Sequence, residues 1–288
     1  MIIIRVWGGL GNQMFQYALM RAFEHEGIEC KLDLSYYSWS RANSVYELER
    51  VFGLKPSIAT DKECKQLADY RMNYWHRIKK RLFPKKTHFI QSRTGNIGYD
   101  ESVLKKKMAY LEGYFQSEAY FSSIEEKIRN EFDFIEPLNS KSKDMVNFIS
   151  SVNSASLHVR RGDYLRYMEH SAPLSVTSYY QHCVEKLTSE MGKLDFFVFS
   201  NDPQWCKKTF DSANYHIVDW NGGAESWQDM YLMSRCSHNI IANSTFSWWG
   251  AWLNKNIDKI VCAPNEWMPE DGFLYKQLVP DSWMRVSR

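Results

Sequence analysis

The segment that most constrains the fold is the first one, residues 1–34. Ile2-Ile3-Ile4-Arg5-Val6 is a β-branched run, Gly8-Gly9-Leu10-Gly11 is a glycine turn, and apolar residues then recur at Leu10, Met14, Tyr17, Ala18 and Ala22. Branched side chains suit a pleated strand and spacings of three and four suit one face of a helix, so the order reads strand, turn, helix. Gly27 closes the helix, and residues 28–34 read as a second strand. A helix crossing between two strands of one sheet makes them parallel, which is the construction of α/β chains.

Further strands are expected at residues 109–111, 155–159, 196–200, 216–218, 239–242 and 259–262, with helical stretches between most of them, so α/β is predicted throughout. Glu136 to Lys143 is a polar, turn-prone run followed by an apolar-periodic helix over 145–152. The domain boundary is placed there, giving units 1–140 and 141–288. A chain of 288 residues with 44% apolar and 24% charged side chains has enough material for two medium domains or one large one.

The formal net charge is only +2, which excludes a global field of the kind that draws nucleic acid, so any anion site must come from local Arg and Lys. No apolar run approaches the roughly 20 residues of a membrane-spanning helix. The opening also lacks the basic, apolar and small-residue regions of a secretory signal, so a cytoplasmic chain is expected. Six scattered cysteines, with no C-x-x-C pair and no histidine at ligand spacing, fit reduced and mostly buried thiols rather than a metal site. Tyr70 to Lys86 combines Tyr70, Met72, Tyr74, Trp75, Ile78 and Leu82 with six Lys or Arg from Arg77 onward. The favoured reading is a solvated helix that buries its aromatic side in the N-terminal domain. Weak peripheral contact with the inner face of a membrane is the secondary one.

Three motifs carry chemistry. His158-Val159-Arg160-Arg161-Gly162-Asp163-Tyr164 follows an apolar run and so sits at the carboxyl end of a strand, the edge where open α/β sheets bind ligands. Adjacent guanidiniums offer planar forks of donors that suit a diphosphate and cannot lose their charge. The competing account is a surface Arg–Asp ion-pair cluster. The second motif is the opening turn: Met14 stands where a dinucleotide fingerprint needs its third glycine, and no G-x-x-x-x-G-K-[ST] is present. What remains is a tight turn, Gly11 included, that delivers the uncharged amides Asn12 and Gln13, with a structural turn capped by Asn12 as the equal alternative. In the third motif Asn243, Ser244, Thr245, Phe246 and Ser247 open a helix whose first amides carry the positive end of its dipole, an anion site that is compatible with simple capping by the hydroxyls. Trp248, Trp249 and Trp252 at helical spacing read as core, and Asp202 in Ser-Asn-Asp-Pro reads as a turn former.

The His-x-Arg-Arg-x-Asp pattern resembles the donor-binding signature of α-1,2-, α-1,6- and protein O-fucosyltransferases. Together with Gly8 to Ala18, Ser200 to Lys207 and Asn243 to Leu253, the chain resembles glycosyltransferase family 11, the bacterial α-1,2-fucosyltransferases, in order from residue 8 to about residue 266. The resemblance implies a GT-B type fold, two Rossmann-like domains facing across a cleft, with an acceptor-side N-terminal half and a C-terminal half holding GDP-fucose. It implies that Asn12 lies beside the sugar–phosphate bond, that Asp229 and His158 read guanine, and that Arg160 and the start at Ser244-Thr245 stabilise the leaving diphosphate. A carboxylate can accept both the N1–H and the N2–H₂ of guanine, an edge that adenine and uracil lack.

The expected reaction is inverting transfer of L-fucose from GDP-β-L-fucose to the 2-hydroxyl of a terminal β-galactoside, on a free or lipid-linked glycan, in one in-line displacement. No Asp-x-Asp occurs in the chain, so no metal and no cofactor are expected. Asp163 is the first candidate for the base, with Glu169 and Tyr164 as further base or acceptor contacts. The alternatives are a fucosyltransferase of another linkage, α-1,6 or α-1,3, and a non-catalytic GDP-sugar or glycan-binding module. The Ser-Thr-Phe-Ser-Trp-Trp-Gly segment favours α-1,2 among them.

Overall fold

The computed structural model describes residues 1–39, 45–68, 89–91, 98–161, 173–267 and 277–288. They form two compact units, Met1–Ile135 and Glu136–Arg288, a division five residues before the boundary placed from the sequence at residue 140. The basic segment 70–86 lies outside the described residues.

The first unit is built on a parallel sheet of β1 (Ile2–Arg5), β2 (Cys30–Asp33), β3 (Phe89–Gln91) and β4 (Ala109–Glu112), in the order β2-β1-β4-β3. α1 (Leu10–His25) crosses from β1 to β2, as the opening periodicity requires, and Met14, Phe15, Ala18, Leu19 and Phe23 on it are fully buried. Short helices α2 (Ser35–Trp39), α3 (Leu48–Phe52), α4 (Asp61–Leu67), α5 (Glu101–Leu104) and α6 (Glu125–Glu131) fill the connections. β3 was not anticipated; at three residues it carries too little periodicity to stand out.

The second unit carries six parallel strands: β5 (Ser154–Val159), β6 (Asp195–Ser200), β7 (Tyr215–Val218), β8 (His238–Ile240), β9 (Val261–Pro264) and β10 (Met284–Val286). Their order is β10-β9-β8-β5-β6-β7, with β5 paired to β6 on one side and β8 on the other. The chain therefore builds outward from β5 in one direction through β7, then returns and builds outward in the other, the strand order of a Rossmann sheet. Every residue of β5 is buried, as befits a central parallel strand covered on both faces. The expected strand over 259–262 lies two residues later, at 261–264, and β10 was not anticipated.

The helices of this unit are α7 (Ser140–Ser151), α8 (Tyr179–Met191), α9 (Pro203–Thr209), α10 (Trp227–Arg235) and α11 (Thr245–Trp252). α7 begins inside the polar run that the sequence assigned to a turn. Asn139 caps it by accepting from the Ser142 amide at 2.8 Å, and a capped first turn tolerates Ser and Lys. Trp248, Trp249 and Trp252 are core, as their spacing indicated, and the Trp248 indole N–H donates to the Leu278 carbonyl at 2.8 Å. Each such buried ring contributes about 2–3 kcal/mol through apolar burial.

α10 and α11 pack closely because Gly250 lets them: a Cβ there would lie 2.9 Å from the Met233 Cβ, a backbone-fixed atom that cannot swing aside. Gly250→Ala is therefore expected to destabilise the second unit by about 1–3 kcal/mol, despite the better helix propensity of alanine. Thermal unfolding of the variant checks this, and an unchanged or raised melting temperature would contradict the packing.

Candidate active site

Because strand order reverses between β5 and β8, the connections leaving their carboxyl ends run to opposite sides and leave that edge of the sheet open. The first and third motifs stand on those two ends. Two tyrosines at the start of α8 brace them: the Tyr180 hydroxyl donates to the His158 carbonyl at 3.0 Å, and the Tyr179 hydroxyl donates to the Ile241 carbonyl at 2.7 Å. The edge is thus held rigidly from behind.

His158, in β5, is buried and its ring lies 5.9 Å from that of Phe246 in the first turn of α11. Burial, helped by the nearby Arg160 charge, pushes its pKa down to about 3, so the imidazole is neutral, and its Nδ1 has no hydrogen-bond partner. A buried, neutral and unsatisfied ring nitrogen is costly unless a ligand completes it. The Ser244 side chain makes no capping bond to α11, so simple N-capping by that hydroxyl is not what the structure holds. The first-turn amides there keep the dipole's positive end. Asn243 is buried and its amide donates to the Trp267 carbonyl at 3.1 Å, which fixes the loop that precedes Ser244.

Arg160 and Arg161 are half-buried just beyond the end of β5. Arg161 stacks on Trp205, its guanidinium carbon 4.8 Å from the ring centroid, and its Nε lies 3.4 Å from the Asp202 carboxylate. Its backbone N–H donates to the Asn201 side chain at 2.9 Å. Asp202 itself caps α9 by accepting from the Trp205 amide at 3.2 Å, the turn role read from Asp-Pro. The ion pair weighed against diphosphate binding thus exists, with Asp202 as partner and with Arg161 as the arginine held. Asp163, Tyr164 and Glu169 lie outside the described residues.

Asp229 sits in the first turn of α10, which packs against β5 and α11. Its carboxylate accepts from the Asn221 amide at 2.9 Å. Asn221 is buried, and its own carbonyl oxygen accepts from Asn139 at 2.9 Å and from the Ser142 hydroxyl at 3.2 Å, tying Asp229 to the start of α7. Burial pushes the Asp229 pKa up to about 7, opposed by the Asn221 bond. Sequence reasoning missed Asn221, because a partner eight residues away across a loop leaves no periodic signal.

In the first unit Gly8 is at φ +83°, and a Cβ there would meet the Asn12 Nδ2 at 2.5 Å, so the turn needs glycine to admit Asn12. α1 starts from Gly9 with no side-chain cap, so Asn12 lies inside the first turn and is not the cap. Its side-chain oxygen accepts from Gln116 at 2.8 Å, another partner that the sequence did not reveal. Gln13 corrects the expectation of a donor contact. It is fully buried, donates to the carbonyls of Gly8 and Val45 at 3.2 and 2.8 Å, and accepts from the Glu47 amide at 2.9 Å. Both ends of its amide serve the backbone, so it fixes the turn, beside a Gly11 that is likewise buried. Among the described residues no group of His, Cys, Asp or Glu could hold a metal ion, and no helix is long and apolar enough to cross a membrane. All six cysteines are buried and unpaired with one another.

The family model for glycosyl transferase family 11 matches residues 1–285, and the chain belongs to that family. An α-1,2-colitosyltransferase of Escherichia coli is 33% identical over 100% of this chain and 99% of its own. Galactoside α-(1,2)-fucosyltransferase 1 of Lagothrix lagotricha is 27% identical over 57% of this chain and 47% of its own. Among solved structures, a mutant of Arabidopsis thaliana FUT1 in complex with GDP superposes with a TM-score of 0.50 at 12% identity, covering 98% of this chain and 75% of that one. The α/β architecture of parallel-sheet units expected from the resemblance is the one found. The chain is a glycosyltransferase.

The Asp229 carboxyl has a measurable consequence. Its pKa is raised from 3.8 to about 7, so the folded state keeps a proton that the unfolded chain gives up. The stability this confers is present below pH about 4 and is lost as pH rises towards 7. Asp229→Asn, which cannot ionise, should melt roughly 5 °C or more above the parent at pH 8, with the gap closing towards pH 4. Equal melting temperatures at pH 8 would contradict the burial of this carboxylate.

Proposed function

We propose that the chain transfers L-fucose from GDP-β-L-fucose to the 2-hydroxyl of a terminal β-galactoside in a glycan, inverting the anomeric centre without a metal ion or cofactor. The observation that carries the reading is the pairing of β5 and α11 at the strand-order switch: Arg160, neutral His158 and the start of α11 occupy one open edge of the second unit. That is a place for a nucleoside diphosphate. Asp229, held by Asn221, supplies the acceptor oxygens that the guanine edge demands, and His158 Nδ1 offers a further hydrogen-bonding site.

In the reaction the acceptor oxygen attacks the anomeric carbon from the face opposite the diphosphate. The carbon–oxygen bond to the β-phosphate breaks and its electron pair stays on that phosphate. Arg160 and the amides at Thr245 and Phe246 stabilise the charge as it develops, the task a divalent cation performs elsewhere. The hydroxyl proton passes to Asp163, three residues beyond Arg160 in the sequence. Asn12, whose amide is oriented by Gln116, is the further catalytic group of this reading.

The α-1,2 linkage is favoured by the Ser244–Trp249 segment and by the names of both relatives, which are α-1,2 transferases. The name of the E. coli relative supports a second reading, in which the sugar moved is colitose. Incubation with fucosyl and colitosyl nucleotide donors and a panel of β-galactosides, followed by mass and linkage analysis, decides between them. Donor hydrolysis or binding without transfer would instead indicate a module that only holds the nucleotide sugar.

In the same assay Arg160→Ala should lower kcat by roughly 100-fold or more, about 3 kcal/mol of transition-state stabilisation, and EDTA should leave the parent rate unchanged. Near-normal turnover of the variant would remove Arg160 from the mechanism. Activity lost to EDTA and restored by manganese would overturn the assignment of charge stabilisation to protein groups.

A further inference from the structure

We infer that the first unit carries an aromatic platform for the acceptor sugar, formed by Trp7, Tyr36 and Tyr114, a subsite that rests on the transferase reading above. In this unit β1 and β4 are adjacent parallel strands, with β2 on the other side of β1. The loops after β1 and β4 consequently meet at the carboxyl edge of a parallel sheet, the position where such sheets hold ligands.

Trp7 follows β1 and Tyr114 follows β4, and their rings stack at 4.5 Å between centroids with 10° between planes. Tyr36, just beyond β2, meets Trp7 edge-on at 6.3 Å and is itself met by Tyr37 at 5.3 Å. Aromatic side chains from the ends of three adjacent strands thus gather at one edge, and Trp7, Tyr36, Tyr37 and Tyr114 are all only half-buried. Rings needed solely for the core would be covered, as Trp248 and Trp249 are in the second unit.

The platform is also held in place by polar bonds. The Trp7 indole N–H donates to the Gly113 carbonyl at 3.3 Å, and the same carbonyl accepts from the Gln16 amide at 3.0 Å. Gln16 is fully buried and its oxygen accepts from the Trp7 backbone N–H at 3.2 Å, so one glutamine locks the two loops together. The Tyr37 hydroxyl donates to the Gly8 carbonyl at 3.0 Å, linking the aromatic group to the turn that carries Asn12. Preorganisation of this kind removes the ordering cost of binding.

A pyranose ring has one face of C–H groups and a rim of hydroxyls. An aromatic surface bordered by a fixed amide matches both: the rings take the apolar face, and half-buried Asn12, held by buried Gln116, follows β1 at the same edge to meet hydroxyls. A lipid tail would bring no hydrogen-bonding group to this polar border, and among the described residues no cationic side chain belongs to the aromatic group to call for a phosphate. The occupant is the hexose of the glycan acceptor.

The test uses the full chain with lactose as the probe β-galactoside. Tyr114→Ala and Tyr36→Ala are expected to raise KM for lactose roughly tenfold with a smaller change in kcat, the effect of losing an aromatic anchor. Trp7→Phe, which keeps a ring but loses the bond to Gly113, should show an intermediate rise. Thermal unfolding and amide hydrogen exchange of residues 1–135 report whether each variant is folded, and Tyr36→Ala serves if Tyr114→Ala is not. Unaltered KM in folded variants overturns the platform and leaves the transferase reading intact. Should the parent chain transfer nothing to any β-galactoside, that reading fails instead. Saturation-transfer NMR of lactose then decides the platform alone: loss of transfer to the ring hydrogens in the Tyr variants supports it, and equal transfer overturns it.

Discussion

The reversal of strand order between β5 and β8 determines where chemistry can occur in the second unit. A parallel sheet forces every connection to cross over, and β5 leads to β6 on one side while β8 leads to β9 on the other, so the loops after β5 and β8 part. The β-branched and aromatic residues of the strands, the Tyr179 and Tyr180 braces and the close approach at Gly250 all maintain that edge. None of them need touch a substrate. They fix where Arg160, His158 and the start of α11 stand.

Charge at this edge is arranged by burial as much as by sequence. His158 is kept neutral because burial penalises its charged form, and the positive charge of the adjoining Arg160 acts in the same direction. Asp229 is tuned in the opposite sense, its ionisation opposed by burial and supported by Asn221. Arg161 has an anion and an aromatic face beside it, Asp202 and Trp205, while its buried Nε and Nη1 keep no hydrogen-bond partner.

Much of this was legible in the sequence, and the exceptions have physical causes. The first βαβ unit follows from Ile2–Val6, the glycine turn and the spacing of Leu10, Met14 and Ala18, all local signals. The short edge strands β3 and β10 carry three residues each and leave no period to detect. Motif residues stand out because His158, Arg160 and Thr245 lie close to strand ends in the sequence, and the structure keeps them at those ends. Gln13 was misjudged because its amide looks the same whether it faces a ligand or the carbonyls of Gly8 and Val45. Asn221, Gln116 and the Trp7–Tyr114 stack depend on contacts between distant segments, which no single-sequence pattern records.

The central claim is that fixed protein groups at the β5–β8 switch, the Arg160 guanidinium and the first amides of α11, receive the diphosphate. A crystal structure of the chain with GDP tests it most directly. The account predicts the β-phosphate within hydrogen-bonding distance of Arg160 and of the Thr245 or Phe246 amide, with guanine at Asp229 and His158. A diphosphate bound away from this edge, or held there by a metal ion instead of Arg160, would contradict it.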